Sequence, residues 1–172
     1  DWYRPDLMAV IAVGDFDSDW IEGLIKKRFS TIPSAVDPST RTMYPVPDHS
    51  ETLFALVTDP EASWSSVSVY YKMEARDQGS VEAYRKSLVE ALHTRMLNSR
   101  LRELSKIPEA PFLSGRSGRA RLARTKEVYS LSARVKEGGL LQGLEALLIE
   151  AGRLKQHGFT ETELAREKVE ML

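Results

Sequence analysis

Apolar residues recur along this chain with two different spacings, and the switches between them mark out the elements. Leu7 to Val13 (LMAVIAV) is an unbroken apolar run between Pro5 and Gly14-Asp15, the pattern of a central strand covered on both faces. Asp17 or Ser18 then offers a helix cap, and Trp20, Ile21, Leu24, Ile25 and Phe29 follow at helical steps before Pro33, which predicts a helix after the strand. Pro33, Pro38, Pro45 and Pro47 punctuate residues 33–50, an extended connection expected to cross one face of the domain. Leu53 to Val57 reads as the next strand, closed by Asp59-Pro60, and Val67, Val69, Tyr71 and Met73 alternate with polar residues in the one after it. A turn this short lets the two pair antiparallel.

From a cap at Ser80, a long helix is predicted by Val81, Tyr84, Leu88, Leu92, Met96 or Leu97, Leu101 and Leu104, ended by Pro108 and Pro111. Pro111-Phe112-Leu113 opens an irregular strand that meets Gly115 and Gly118, where a glycine-permitted bend or bulge is expected. Tyr129, Leu131, Ala133 and Val135 alternate through residues 128–136 as a half-buried strand. Gly138-Gly139 breaks the pattern, Leu140 to Leu154 resumes an apolar helix, His157-Gly158 stops it, and Thr160-Glu161-Thr162-Glu163 starts a last helix. The order β-α-β-β-α-β-β-α-α predicts an α+β fold: a two-layer sandwich of a mixed, mostly antiparallel sheet with helices packed on one face.

Composition narrows the picture. At 172 residues with 42% apolar content, one domain spanning 1–172 is expected, large enough for a core without metal or disulfide. There is no cysteine, hence no thiol nucleophile and no Cys-ligated zinc. No apolar run approaches the roughly 20 residues of a membrane span. The chain starts at Asp1 without Met and ends at Leu172 inside a helical pattern, as a segment of a longer polypeptide would. With 24 Lys+Arg against 25 Asp+Glu the net charge is -1, which argues against a general polyanion binder.

Candidate chemistry is sparse. His49, His93 and His157 are separated by 44 and 64 residues, and neither HExxH nor HxxEH occurs, so no metal site is expected within this chain. His93 reads as a packed or surface imidazole and His157 as a favourable charge at a helix C-terminus. Ser117, in Gly115-Arg116-Ser117-Gly118, lacks the GxSxG spacing of a nucleophile elbow and an evident His partner. Glu161, Glu163 and Glu167 fit the opening turns of a helix better than a carboxylate dyad. Arg116, Arg119, Arg121, Arg124 and Lys126 place five cations in eleven residues without an acid; lacking interleaved aromatics, they read as a solvated loop or a contact with another domain rather than a phosphate grip.

The stretch Trp2-Tyr3-Arg4-Pro5-Asp6-Leu7-Met8 followed by Ala9 through Asp17 resembles the start of the second subdomain in pitrilysin/insulinase-type zinc peptidases, the M16 family, whose pattern there is W-Y-x-P-x-x-M leading into a strand that ends in Gly-Asp. Three later stretches are similar to the same family in the same order: Phe29-Ser30-Thr31-Ile32-Pro33, Met96-Leu97-Asn98-Ser99-Arg100-Leu101 with its (F/L)-N-x-R-L segment, and His157 to Leu164 with its G-(F/V)-T-x-x-E-L turn. The resemblance implies a two-layer subdomain repeated four times in a peptidase of paired halves closing around a peptide chamber. It places zinc and HxxEH in a different subdomain of the parent, and so assigns no catalytic residue and no cofactor here. The family's substrate-contacting Arg and Tyr have Arg124 and Tyr129 in their place in the order of elements, at narrower spacing, whereas residues 45–48 and 59–61 look more like the family's first half; Arg116, Arg119 and Arg121 complete the candidate contact set.

The leading expectation is therefore a non-catalytic, chamber-forming subdomain of an M16-like zinc metalloendopeptidase. Its partners would be the other subdomains of the same chain and a peptide substrate, not nucleic acid or membrane, and exported bacterial relatives point to the periplasm. A scaffold module of an inactive processing-peptidase-like protein is the alternative, and a nucleic-acid-binding domain using the Arg116–Lys126 run is a third.

Overall fold

The structure is a computed structural model and describes residues 3–40 and 42–171. Cα packing divides it into two compact units, one ending at Thr42 and one beginning at Met43. In the first unit a 3-10 turn at Pro5–Leu7 precedes helix α1, Ser18–Phe29. Asp17 caps α1 through its side chain, which accepts a 2.7 Å hydrogen bond from the Trp20 amide. Arg4 ties the unit's ends together: its guanidinium donates to the Ser39 carbonyl at 2.9 Å and pairs with Asp6 at 3.2 Å. Trp2, which opens the family-like stretch, lies outside the described residues.

Leu7 to Val13 is not the buried strand that its composition predicts. Pro5 pre-sets the backbone of a 3-10 turn and withholds an amide donor, and residues 8–13 join no ladder, leaving Ile11 83% and Val13 92% exposed. Leu53 to Val57 likewise forms no strand and does not pair with the one that follows; Asp59 instead closes a tight turn, accepting from the amides of Glu61 and Ala62. An apolar run becomes a strand only where a partner supplies its backbone bonds, and among the described residues neither run has one. Of the α1 stripe, Ile21, Leu24 and Ile25 are half-buried, while Trp20 and Phe29 stay exposed.

The second unit carries β1 (Ser65–Glu74), α2 (Val81–Leu104), β2 (Ser114–Arg121), β3 (Lys126–Val135), α3 (Leu140–His157) and α4 (Glu161–Met171). The sheet has the order β1-β3-β2 with both pairs antiparallel; the fold is α+β, and the expected mixed sheet is antiparallel throughout the described residues. Val67 opposes Ala133 and Val69 opposes Leu131, so the odd-numbered side chains of β1 and β3 share one face. That face meets α2 and α3: Leu97 and Leu101, Phe112, Leu131, Ala133, Val135 and Leu147 form the buried core. The reverse face is polar, with Ser68 opposite Ser132 and Tyr70 opposite Ser130, and Arg134 stacks 4.2 Å from the Trp64 ring centre.

Gly115 and Gly118 lie inside β2 rather than at a bend. Gly115 is dictated by packing, since a Cβ there would stand 2.9 Å from the Phe112 ring. Val81 and Tyr84, expected on the buried stripe of α2, are exposed, and burial begins only in the helix's second half at Met96. Ser80 caps α2 by accepting from the Ala83 amide at 3.1 Å. Thr160 and Glu163 form a reciprocal capping box at α4, the Thr160 amide donating to Glu163 at 2.7 Å and the Glu163 amide to Thr160 Oγ1 at 3.3 Å.

Helix α3 approaches β3 at Gly143, where a Cβ would sit 2.5 Å from Val135 Cγ1. Gly143→Ala is therefore expected to lower stability by about 1–3 kcal/mol through overpacking. Gly152→Ala, on the same helix with open space at its Cβ position, should raise stability by up to about 1 kcal/mol through helix propensity. Urea denaturation of the two variants side by side checks both signs.

Candidate contact surface on the β2–β3 hairpin

The basic run expected as a solvated loop is the β2–β3 hairpin, closed at residues 122–125 by the Leu122 and Ala123 amides, each donating to the Lys126 carbonyl at 3.0 Å. Strand alternation separates its arginines. Arg116 stands opposite Ser132 on the polar face, exposed. Arg119 and Arg121 stand on the helix-bearing face, opposite Tyr129 and Glu127. Arg124 is exposed in the turn. The fold thus brings Arg119 and Tyr129 together as cross-strand neighbours and sets Arg116 on the other face. Tyr129 is half-buried, and burial pushes its phenol above the usual range.

Arg119 is consumed by structure. It pairs with Glu90 at 2.7 Å and with Glu127, while Arg76 pairs with the same two acids at 2.9 and 3.1 Å. Two arginines and two glutamates close a ring joining α2, β2, β3 and the segment after β1. Burial works against ionisation of Glu127, but the hydrogen bonds from Arg119 and Arg76 outweigh it and hold the carboxyl below its usual range. Beside this ring a cleft of about 760 Å³ is lined by Arg76, Ser80, Tyr84, Arg119, Arg121 and Glu127 among others. At the turn end of the hairpin, Lys126 is buried between Asp48, at 2.9 Å, and Glu74; these two acids hold its ammonium above its usual range, Glu74 most strongly. The Lys72 ammonium donates to the Pro47 carbonyl, so residues 47–48 are fastened to β1 and β3.

Ser117 is tied into the fold. It is buried, and its hydroxyl and amide both donate to Asn98 Oδ1, at 3.0 and 2.6 Å, while Asn98 Nδ2 donates to the Ser117 carbonyl at 3.0 Å. The α2 side chain therefore takes the place of a strand along that part of β2.

Two residues beyond Asn98, Arg100 binds Glu163 at 2.5 and 2.8 Å, Glu150 at 3.3 Å and the Gly158 carbonyl at 3.0 Å, and lies 4.9 Å from the Phe159 ring centre. Glu163 is held down to about 2, first by the Arg100 hydrogen bond, and the Arg100 guanidinium is driven up by the same partner. His93 meets Phe159 edge-on at 5.4 Å, and burial lowers its imidazole. Glu167 is buried and bound by Arg95 at 3.1 Å. His157 occupies the last turn of α3, as expected.

Among the described residues, no three His, Cys, Asp or Glu side chains converge as metal ligands. The buried carboxylates of Glu127, Glu150 and Glu167 are committed to arginines, so the donor set does not fit zinc and no hydrolytic step is derived through one. Sequence reasoning missed Arg76, Glu90, Glu127 and Glu150. Their pairing spans up to 51 residues, and nothing in local spacing marks it.

Residues 1–171 match the family model described as the peptidase M16 inactive domain. The chain is 32% identical over 170 residues to "Zinc protease PQQL-like" of Arabidopsis thaliana, covering 98% of this chain and 18% of that protein. It is 24% identical over 164 residues to "Probable zinc protease PqqL" of Escherichia coli, covering 95% and 18%. The crystal structure of the first half of the periplasmic protease PqqL from Escherichia coli aligns over 92% of this chain and 34% of its own, with TM-score 0.79 and 20% identity, a likeness of fold. The chain thus spans less than a fifth of the length of these curated relatives, 18% in each case.

Arg100→Met should cost up to about 3–5 kcal/mol, because it strips Glu163 of its cation and leaves the buried Glu150 with Arg153 alone, at 3.1 Å; equilibrium urea unfolding measures it. The pH dependence has a definite sign. Glu163 is depressed in the folded state to about 2, so its contribution is complete above the unfolded carboxyl pKa, about 4.3, and is lost as pH falls towards 2. Glu163→Gln is expected to flatten that part of the stability profile, with the urea midpoint against pH as the readout.

Proposed function

Since this chain belongs to the peptidase M16 inactive-domain family, we propose that it serves as a non-catalytic wall of the substrate chamber in a longer PqqL-like zinc metalloendopeptidase. The observation that carries this reading is the state of its ionisable groups: the buried Glu127, Glu150 and Glu167 and the half-buried Glu163 are each held by an arginine. A carboxylate locked in this way is a poor general acid or base and a good structural staple. Within the parent, the domain would pack beside the metal-bearing subdomain, and zinc would be bound there, not here. The whole of residues 1–172 would act as one subdomain in this role. Its likeness to the periplasmic protease PqqL of Escherichia coli supports placing it in the periplasm.

Of the candidate contact residues, Arg116, Arg121 and Arg124 are exposed and fit a role toward peptide or a neighbouring domain. Arg119 and Tyr129 would act through the hairpin's rigidity, Arg119 being already bound to Glu90 and Glu127. The purified 172-residue chain is expected to bind no stoichiometric zinc and to cleave no peptide, and the full-length polypeptide to show chelator-sensitive cleavage. In that full-length protein, replacing Arg116, Arg121 and Arg124 together by Ala should raise KM for peptides several-fold with little change in kcat or thermal midpoint. Stoichiometric zinc on the isolated chain would falsify the reading, and a full-length protein inert toward all peptides would favour the scaffold alternative.

A further inference from the structure

Helix α3 is apolar around more of its circumference than the sheet can cover. Gly143, Leu147 and Glu150 are its buried residues, and Leu147 is packed into the core. At roughly 100° per residue, Leu144, Leu148, Leu141 and Ile149 fill the sector next to that buried one. Leu141 is 80% and Ile149 55% exposed, and these four side chains with Glu145 line a shallow groove of about 420 Å³. Gly152 falls in the same sector, with no heavy atom within 4 Å of its Cβ position. A helix whose apolar arc outruns its contacts belongs inside a larger structure.

We propose that this face of α3 is an interdomain docking surface, covered by an apolar helix of a neighbouring domain in the same polypeptide. The inference rests on the reading of the chain as one domain of a longer protein. Its occupant is argued from chain length: the matched region is 18% of the curated relatives and 34% of the half-protease structure, so in these relatives most of the polypeptide lies outside it. Gly152 is the point where the partner helix approaches closest. Glu145, the one charged residue lining the groove, selects a Lys or Arg at the edge of the partner's apolar stripe.

Hydroxyl-radical footprinting of the full-length polypeptide tests this without depending on peptidase activity. Leu141, Leu148 and Ile149 should be oxidised about tenfold more slowly than in the urea-unfolded chain, like the core residue Leu147, and equally so across a dilution series. Oxidation at the rate of the unfolded chain overturns the proposal, and protection that disappears on dilution overturns it in favour of a second copy. The double substitution Leu141→Arg with Ile149→Arg touches no core residue; it should remove the protection at Leu148 while Leu147 stays protected, and persistence of the Leu148 protection would overturn the proposal. Protection of α3 in a parent that cleaves nothing would leave this inference standing and remove only the peptidase reading.

Discussion

One guanidinium holds the helical layer of the second unit together. Arg100 projects from α2 into the junction of α3 and α4, where it meets a carboxylate from each helix, a carbonyl of the connection between them and the face of Phe159. A planar fork with five donors suits such a junction as an ammonium does not. Glu150 and Glu163 are partly desolvated around it, so its loss would leave Glu150 to Arg153 alone, at 3.1 Å, and Glu163 without a cation. The angle between α3 and α4 is thereby set by electrostatics as much as by apolar packing.

The same logic recurs at the other end of α2. The ring of Arg76, Glu90, Arg119 and Glu127 fastens the helix's first half to the sheet where apolar contact is thin, since Val81 and Tyr84 are exposed there. The core proper is formed by the second half of α2, Phe112, β3 and the middle of α3. Ion pairs thus fasten both ends of the helix, and hydrophobic burial adds to them only in its second half. Side chains engaged in this way are withdrawn from proton transfer and metal binding.

How much of this the sequence discloses depends on the range of the forces involved. Helices α2, α3 and α4 and strand β3 follow from local periodicity and capping residues, and each lies within a few residues of its expected place. Leu7–Val13 and Leu53–Val57 have the composition of strands but no ladder, because a strand is a property of two segments and only one is visible in a local window. The glycines of β2 mislead for a related reason: Gly115 answers the ring of Phe112 rather than a bend. The family-like segments containing Asn98-Ser99-Arg100 and Gly158-Phe159-Thr160 are legible as strings, but their meeting around one guanidinium appears only in three dimensions. The candidate arginines read in the sequence as a loop, so the strand alternation that puts Arg116 and Arg119 on opposite faces is not foreseen. Nor is the ring that occupies Arg119, since its partners come from distant parts of the chain.

The amide of Asn98 has a last consequence. By satisfying both backbone groups of Ser117, it blunts one border of the sheet, while the border formed by β1 carries no neighbouring strand among the described residues. Open borders are where β proteins polymerise. Here stacking is one-sided: two molecules zipped together along β1 would present only their plugged margins, so accretion would end at a pair instead of running on into a fibre.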